Sequence, residues 1–264
     1  MKKVLVTGAG GGMGKAICKK LTQKGYEVYG LDYKEADGVD CADFYVCDVT
    51  KTQNIEEVFN IISSKVENLY AIVHTAGVYD LDSLVEMDEK RFCRVFDINL
   101  FGVYRINKIF TPLLEKGSRI VITSSELAPL DPLPFTGIYG ISKAALEKYA
   151  YSLRMETNIR GISVSVIRPG AVKTGLLNVS TDALDKFIEN TQLYKCNATR
   201  FKSIVESVEA KNISADVIGE IALKALEAKV PRYVYNINRN PLLKILNALP
   251  QRMQVSIIGA ILKS

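Results

Sequence analysis

Histidine occurs once in the chain, at His74, and the five cysteines (Cys18, Cys41, Cys47, Cys93 and Cys196) form no C-x-x-C pair and leave an odd count. No Cys/His zinc site can be assembled from that set at familiar spacings, so no metal is expected, and a disulfide-stapled scaffold is excluded as well. No stretch approaches the ~18 apolar residues of a bilayer span. The apolar run near the N-terminus, Val4 to Thr7, gives way to glycines after four residues, too short for a signal peptide. Lys and Arg exceed Asp and Glu only by 34 to 29, without long basic runs, which leaves no nucleic-acid footprint. Internal repeats, low-complexity tracts and linkers are also missing. These absences leave a reduced, soluble, cytoplasmic chain, expected to form one domain over residues 1–264. With 48% hydrophobic and 24% charged residues it carries enough apolar material for a full core.

Short runs rich in Val and Ile alternate with amphipathic segments from the first residue onward. Residues 2–7, 27–31, 44–47, 69–74, 119–123, 162–168 and 232–237 read as strands, and 13–24, 52–65, 84–114, 139–160 and 214–229 as helices with apolar positions at 3.6 spacing. Near-continuous apolar strands alternating with helices predict an α/β fold: a Rossmann-type doubly wound parallel sheet of about seven strands with helices on both faces. The eleven residues 33–43 are too few for a helical crossover and predict a loop. Residues 171–212 are mixed and polar, with a turn expected at 178–182, and read as a substrate loop or lid. Residues 241–264 form an apolar, basic tail whose two short helices are split by Pro250.

The segment Thr7-Gly8-Ala9-Gly10-Gly11-Gly12-Met13-Gly14 joins the first strand to the first helix. Glycines there permit a tight turn and let backbone amides approach a pyrophosphate seated on the positive end of the helix. The second strand ends eighteen residues after Gly14 with Asp32. A carboxylate at that point suits the hydroxyls of an adenosine ribose and repels a 2′-phosphate. No Lys or Arg lies inside the glycine loop, although Lys15 and Lys34 are near. The cofactor expected is NAD.

These residues resemble the short-chain dehydrogenases/reductases in their compact form, over roughly residues 1–240. TGAGGGMG is similar to the family's cofactor loop, and Asp48-Val49 to its adenine-contacting pair. Asn99 precedes Leu100-Phe101-Gly102 as the family's structural and catalytic Asn does. Ser124-Ser125 ends the fifth strand, Tyr139-Gly140-Ile141-Ser142-Lys143 resembles the Tyr-x-x-x-Lys signature, and Arg168-Pro169-Gly170-Ala171-Val172-Lys173-Thr174 resembles the Pro-Gly…Thr cofactor segment. Two departures stand out. The usual Asn-Asn-Ala-Gly reads His74-Thr75-Ala76-Gly77, and Ser125 to Tyr139 spans 139 − 125 = 14 positions, one more than is common in the family. Placing that extra residue in the proline-rich loop (Pro129, Pro132, Pro134) leaves Ser125 as the catalytic serine, with Ser124 as the alternative.

Tyr139 and Lys143 are four apart on a predicted helix and project from one face. A phenol titrates near 10, and a neighbouring ammonium favours the phenolate. The resemblance implies that Tyr139 moves the hydroxyl proton, Ser125 polarises the substrate oxygen, Lys143 holds the nicotinamide ribose, and Asn99 anchors a proton-relaying water. It implies cofactor contacts from Gly8, Gly10, Gly11, Gly12, Met13, Gly14, Asp32, Asp48, Val49, Ala76, Gly77, Tyr139, Lys143, Pro169, Gly170, Val172 and Thr174. His74 reads as a hydrogen-bonded structural residue, Glu126 as lining the site's mouth or capping a turn, and Cys41 and Cys47 as inert thiols. Tyr149, Tyr151 and Met155 read as a subunit contact. The expected activity is NAD(H)-dependent interconversion of a secondary alcohol and a ketone. The apolar content of the lid (Leu176, Leu177, Val179, Leu184, Phe187, Ile188, Leu193, Tyr194) and of the loop after Ser125 (Leu127, Leu130, Leu133, Phe135) points to a lipophilic substrate. The alternatives are an NADPH-dependent 3-oxoacyl-thioester reductase and a non-catalytic NAD-binding regulator. A homodimer or homotetramer with the tail buried against protein is expected, with membrane association of the tail the lesser alternative.

Overall fold

A computed structural model describes residues 1–209 and 211–263. Seven strands, β1 (Lys3–Thr7), β2 (Glu27–Asp32), β3 (Asp43–Val46), β4 (Leu69–His74), β5 (Leu114–Thr123), β6 (Ser163–Pro169) and β9 (Val234–Ile237), form one sheet in the order β3-β2-β1-β4-β5-β6-β9. Every neighbouring pair is parallel. A second, two-stranded ladder pairs β7 (Val172–Lys173) with β8 (Ile213–Ser214). Side chains alternate across each strand, which splits the core into two layers. Leu5, Leu31, Ile72 and Ile120 face α2 (Thr52–Ser63), α4 (Gly102–Phe110) and α5 (Gly137–Asn158) through Val58, Ile106 and Leu146. Val4, Val6, Val28 and Val73 face α1 (Gly12–Gln23) and α8 (Asp216–Glu227) through Ile17, Leu21 and Ala222. The strand order reverses between β1 and β4. A crevice therefore opens at their carboxyl ends, the place where doubly wound sheets bind ligands.

Two expected elements are corrected. The single helix over 84–114 is replaced by α3 (Glu89–Phe96), a π-helical turn (Asp97–Phe101), α4 and a 3-10 turn (Thr111–Leu113). The Asp88 carboxylate accepts from the Arg91 amide at 3.1 Å and starts the helix five residues late. At the other end Pro112 interrupts it, and β5 begins at Leu114. The turn expected at 178–182 is inside α6 (Gly175–Asn190), which α7 (Lys195–Glu209) follows. The link expected to be a loop carries no helix: residues 33–42 are irregular and β3 begins at Asp43.

The third apolar cluster lies outside the sheet and joins Phe135, Leu184, Phe187, Ala198, Phe201 and Leu262. Phe135 adopts a left-handed backbone (φ 62°), which costs a bulky residue about 1 kcal/mol. Its ring packs on Phe187, Tyr194 and Phe201, and its carbonyl accepts from the Asp82 amide at 2.9 Å. The tail forms α9 (Pro241–Asn247) and α10 (Gln251–Leu262), broken at Pro250 as expected. One face is fixed to the chain: Gln254 Nε2 donates to Asp131 Oδ2 at 2.9 Å, and Asn197 Nδ2 to the Leu262 carbonyl at 2.6 Å. That face of the tail is held against its own chain, while Leu242, Ile245 and Val255 of the tail are exposed.

His74 ends β4 in the core, where its Nε2–H donates to Asn107 Oδ1 at 3.0 Å and Asn107 Nδ2 donates to the Tyr149 hydroxyl at 3.2 Å. Tyr149 is thus drawn inward, while Tyr151 and Met155 remain exposed. Burial pushes the imidazole down to about 4. In the unfolded chain it takes up a proton near pH 6.5, so between those values the unfolded form binds more protons and stability falls as pH drops. The acid limb from about pH 6.5 to 4 is expected to cost about 3 kcal/mol through this residue alone. His74→Asn, which retains an amide for Asn107, should flatten that limb in urea-denaturation midpoints. An unchanged slope would place the loss elsewhere.

Candidate active site

The crevice above β1 and β4 is a groove of about 1110 Å³ lined by the glycine loop, Asp32, Asp48, Val49, Ala76, Gly77 and Thr174. Its floor needs glycine. A Cβ on Gly8, whose φ is 69°, would lie 2.5 Å from the Ala76 amide nitrogen, and one on Gly14 would lie 2.0 Å from the Gly8 carbonyl oxygen. Asp32 is buried at the end of β2, where Oδ2 accepts from the Gly10 amide at 2.9 Å and Oδ1 from the Tyr33 amide at 2.8 Å. Its carboxylate is thus clamped at the groove's wall. Lys34 is exposed beside it with its ammonium over the Tyr33 ring, and Lys15 Nζ is engaged by the Asp37 carbonyl at 2.6 Å. Asp48 Oδ1 accepts from both the amide and hydroxyl of Thr50, which holds the β3 exit against the groove.

A smaller cavity of about 190 Å³ adjoins the groove and is lined by Ser124, Ser125, Tyr139, Lys143, Pro169, Gly170 and Val172. Met13, Gly77 and Thr174 line both spaces. Tyr139 and Lys143 lie one turn apart on α5, with the Lys143 ammonium 5.8 Å from the Tyr139 ring centre and donating to the Thr123 carbonyl at 3.2 Å. Burial pushes the Tyr139 phenol up to about 12, against a hydrogen bond with Ser125 that lowers it. Burial also drives the Lys143 ammonium down to about 8, against the nearby Glu147 carboxylate. The hydroxyl that reaches Tyr139 is that of Ser125; the Ser124 hydroxyl has no partner among the described residues.

Asn99 is fully buried and lines neither space. Its Oδ1 accepts from the Val78 amide at 2.8 Å, and its Nδ2 donates to the Val78 carbonyl at 3.0 Å and to Ser142 Oγ at 3.1 Å. The π turn supplies the register that points it there, since the extra residue in that turn rotates the side chain off the helix's regular stripe. All the cofactor and catalytic residues anticipated by motif therefore converge on one crevice, with Asn99 behind it.

Six contributing residues were not anticipated. Tyr79 packs edge-on against Tyr139, with ring centres 4.5 Å apart. Ser142 links Asn99 to the Tyr139 carbonyl, to which it donates at 2.8 Å. Leu243 of α9 and Phe201, Ile204 and Val205 of α7 complete the cavity wall. Of the lid residues expected there, Leu184 and Phe187 are buried in the Phe135 cluster instead, Leu193 is exposed, and the side chains of Leu176, Leu177 and Val179 lie outside the described residues. Glu126 fulfils both expectations: it lines the cavity, and its Oε2 accepts from the Asn240 amide at 2.6 Å, with burial raising its carboxyl. The spacing of Leu243 from the motifs carried no signal, because only the fold brings α9 to the cavity.

The model of the short chain dehydrogenase family matches residues 2–185. Mouse estradiol 17-beta-dehydrogenase 2 is 33% identical over 199 residues, covering 70% of this chain and 51% of that protein, so the chain spans about half the length of this relative. The 3-ketodihydrosphingosine reductase of Bacteroides thetaiotaomicron is 25% identical over 246 residues, covering 93% of this chain and 90% of that one. Among solved structures, a short chain dehydrogenase family protein from Francisella tularensis superposes with a TM-score of 0.75 at 24% identity, over 90% of this chain and 98% of that one.

Removal of the Asn99 amide leaves the half-buried N–H and carbonyl of Val78 and the buried Ser142 hydroxyl to find other partners. Asn99→Ala is expected to lower stability by about 2 kcal/mol, at the usual 1–3 kcal/mol for an orphaned buried polar group. Chemical denaturation measures it. A change below about 0.5 kcal/mol, the range of neutral surface substitutions, would mean that the tether contributes nothing.

Proposed function

The chain belongs to the short-chain dehydrogenase/reductase family of nicotinamide-dependent oxidoreductases, and from that premise we propose that it interconverts a lipophilic secondary alcohol and its ketone with NAD(H). The observation that carries the reading is the placement of Tyr139, Ser125 and Lys143 where an apolar cavity meets the glycine-lined groove. The groove fits a dinucleotide by its own geometry: it is shallow where Gly8 and Gly14 admit no side chain, and the α1 N-terminus opens on it. Gly10, Gly11, Gly12, Met13 and Thr174 would hold the phosphates, Asp32 the adenosine ribose, Asp48 and Val49 the adenine. Ala76, Gly77, Pro169, Gly170 and Val172 would bracket the nicotinamide end, with Lys143 on its ribose. When bound, the nicotinamide supplies or accepts the hydride.

The protein's part is proton transfer and charge placement. With its phenol near 12, Tyr139 is protonated at neutral pH and is ready to donate to a carbonyl oxygen. Ser125 donates to the same oxygen and steadies its charge. With its ammonium near 8, Lys143 is charged at neutral pH and its field favours the phenolate left behind. In the reverse direction Tyr139 must first lose its proton. Alcohol oxidation is therefore expected to climb with pH across 7–10, while ketone reduction stays level up to the ionisation of Lys143.

Substrate lipophilicity rests on the cavity wall of Leu127, Leu133, Phe201, Ile204, Val205 and Leu243. The named substrates of two relatives, estradiol and ketodihydrosphingosine, are lipophilic as well. Exposed Tyr104, Tyr151 and Met155 on α4 and α5 offer a face for a homodimer. The preference for NAD rests on the Asp32 carboxylate, and the cytoplasm is the proposed compartment.

Titration of both cofactors tests the cofactor reading. NADH should bind more tightly than NADPH, and Asp32→Ala should narrow the gap. Tighter binding of NADPH would instead favour the 3-oxoacyl-thioester reductase reading. Tyr139→Phe should leave NADH affinity nearly intact and reduce turnover by 10²-fold or more, the usual contribution of acid–base catalysis. Normal turnover in that variant, with a sterol or long-chain ketone as substrate, would move the proton donor elsewhere. Ser125→Ala should be more damaging than Ser124→Ala.

A further inference from the structure

Glu227 is the last acidic residue of the chain; beyond it stand Lys229, Arg232, Arg239, Lys244, Arg252 and Lys263. The tail helices α9 and α10 thus carry cations only. They also expose large apolar side chains: Leu242 (68% exposed), Ile245 (63%), Val255 (72%) and Ile261 (53%). Both features are held in place, because Gln254 and Leu262 are buried against the loop after Ser125 and against α7. We propose that the outer surface of α9–α10 docks on an anionic lipid bilayer.

The charge pattern decides the occupant. A second copy of this chain seated symmetrically on the same face would bring two sets of Lys244 and Arg252 into one interface to which α9 and α10 contribute no acidic side chain, and like charges in a desolvated interface are costly. A bilayer with anionic headgroups offers the opposite charge to the cations and an acyl boundary to Leu242, Ile245 and Val255. The mode of attachment is set by length. The 12 residues of α10 extend about 18 Å, well short of a ~30 Å hydrocarbon core. No helix among the described residues is long and apolar enough to cross a membrane. The tail therefore lies on the surface. Leu243, between exposed Leu242 and Lys244, lines the substrate cavity. That places the docked face beside the cavity, so a lipophilic substrate would enter from the bilayer; this extension rests on the substrate reading above, whereas docking does not.

Sedimentation of the full chain with vesicles tests the docking without any substrate. It should pellet with vesicles of phosphatidylcholine mixed with phosphatidylglycerol, pellet little with phosphatidylcholine alone, and be released by added NaCl. Lys244→Gln with Arg252→Gln should weaken binding roughly 25-fold, at about fivefold per charge. Leu242→Ser with Ile245→Ser should weaken it too, with melting curves unchanged in lipid-free buffer since both residues are exposed. Failure to pellet, or equal partition into neutral vesicles at any salt concentration, overturns the proposal whatever the variants do. So does analytical ultracentrifugation in which Leu242→Ser with Ile245→Ser dissociates an oligomer, since that assigns the face to a second copy.

Discussion

The geometry of the whole site hangs on the Asn99 amide. Through two bonds to the Val78 backbone and one to Ser142 it fixes the chain leaving β4 to the second turn of α5. Ser142 in turn donates to the Tyr139 carbonyl, so the residue that carries the phenol is held by the same tether. One side of the tether is the groove wall at Gly77; the other is the Tyr139–Lys143 face. A single buried amide thereby ties the wall of the glycine-lined groove to the Tyr139–Lys143 face. The contact is tight on the groove side as well: a Cβ on Gly77 would stand 3.2 Å from Asn99 Oδ1 and 3.4 Å from Lys143 Nζ. That glycine keeps the passage between Asn99 and Lys143 open.

Burial then determines the charge states. Withdrawal from water raises the phenol of Tyr139 and lowers the ammonium of Lys143, moving the two pKa values apart. At neutral pH both groups hold their protons, the state suited to protonating a carbonyl. The positive charge of Lys143 costs desolvation in this position, and Glu147, one turn further along α5 and paired with Arg168, offsets part of it. The pair Glu147–Arg168 links α5 to the strand end that precedes Pro169 and Gly170. Electrostatic support and cofactor-wall placement therefore come from the same ion pair.

Much of this was legible in the order of residues. The strands, the crevice at β1 and β4, the glycine loop and the Tyr139–Lys143 face follow from periodicity and from motifs whose chemistry is local: a turn that needs no Cβ, or two side chains one helical turn apart. What stayed hidden depends on distance in sequence. Asn107 as the partner of His74, Tyr79 against Tyr139, and Leu243 in the cavity wall are set by tertiary contacts between segments with no mutual spacing signal. The long helix over 84–114 failed for a different reason. Its apolar period continues through Ser83 to Met87, but the Asp88 side chain captures the Arg91 amide and starts the helix there. Capping chemistry prevailed over hydrophobic pattern. The π turn at Asp97–Phe101 also leaves no trace in a 3.6-residue period, although it decides where Asn99 points.

The loop after Ser125 ties the tail and the lid helices to the mouth of the cavity. At one end, the Glu126 amide donates to the Pro169 carbonyl and its carboxylate accepts from Asn240 at the start of α9. In the middle, the Asp131 amide donates to Asn247 Oδ1 at 2.6 Å, and its carboxylate accepts from Gln254. At the far end Phe135 plugs the cluster formed with α6 and α7. The lid helices and the tail are thus fastened to this loop, whereas Tyr139, Lys143 and Asn99 are fastened to the sheet and α5. The left-handed backbone of Phe135 in that loop is offset by its ring contacts with Phe187, Tyr194 and Phe201. A change in tail or lid then alters contacts of this loop and leaves the hydrogen bonds joining Asn99, Ser142 and Tyr139 untouched.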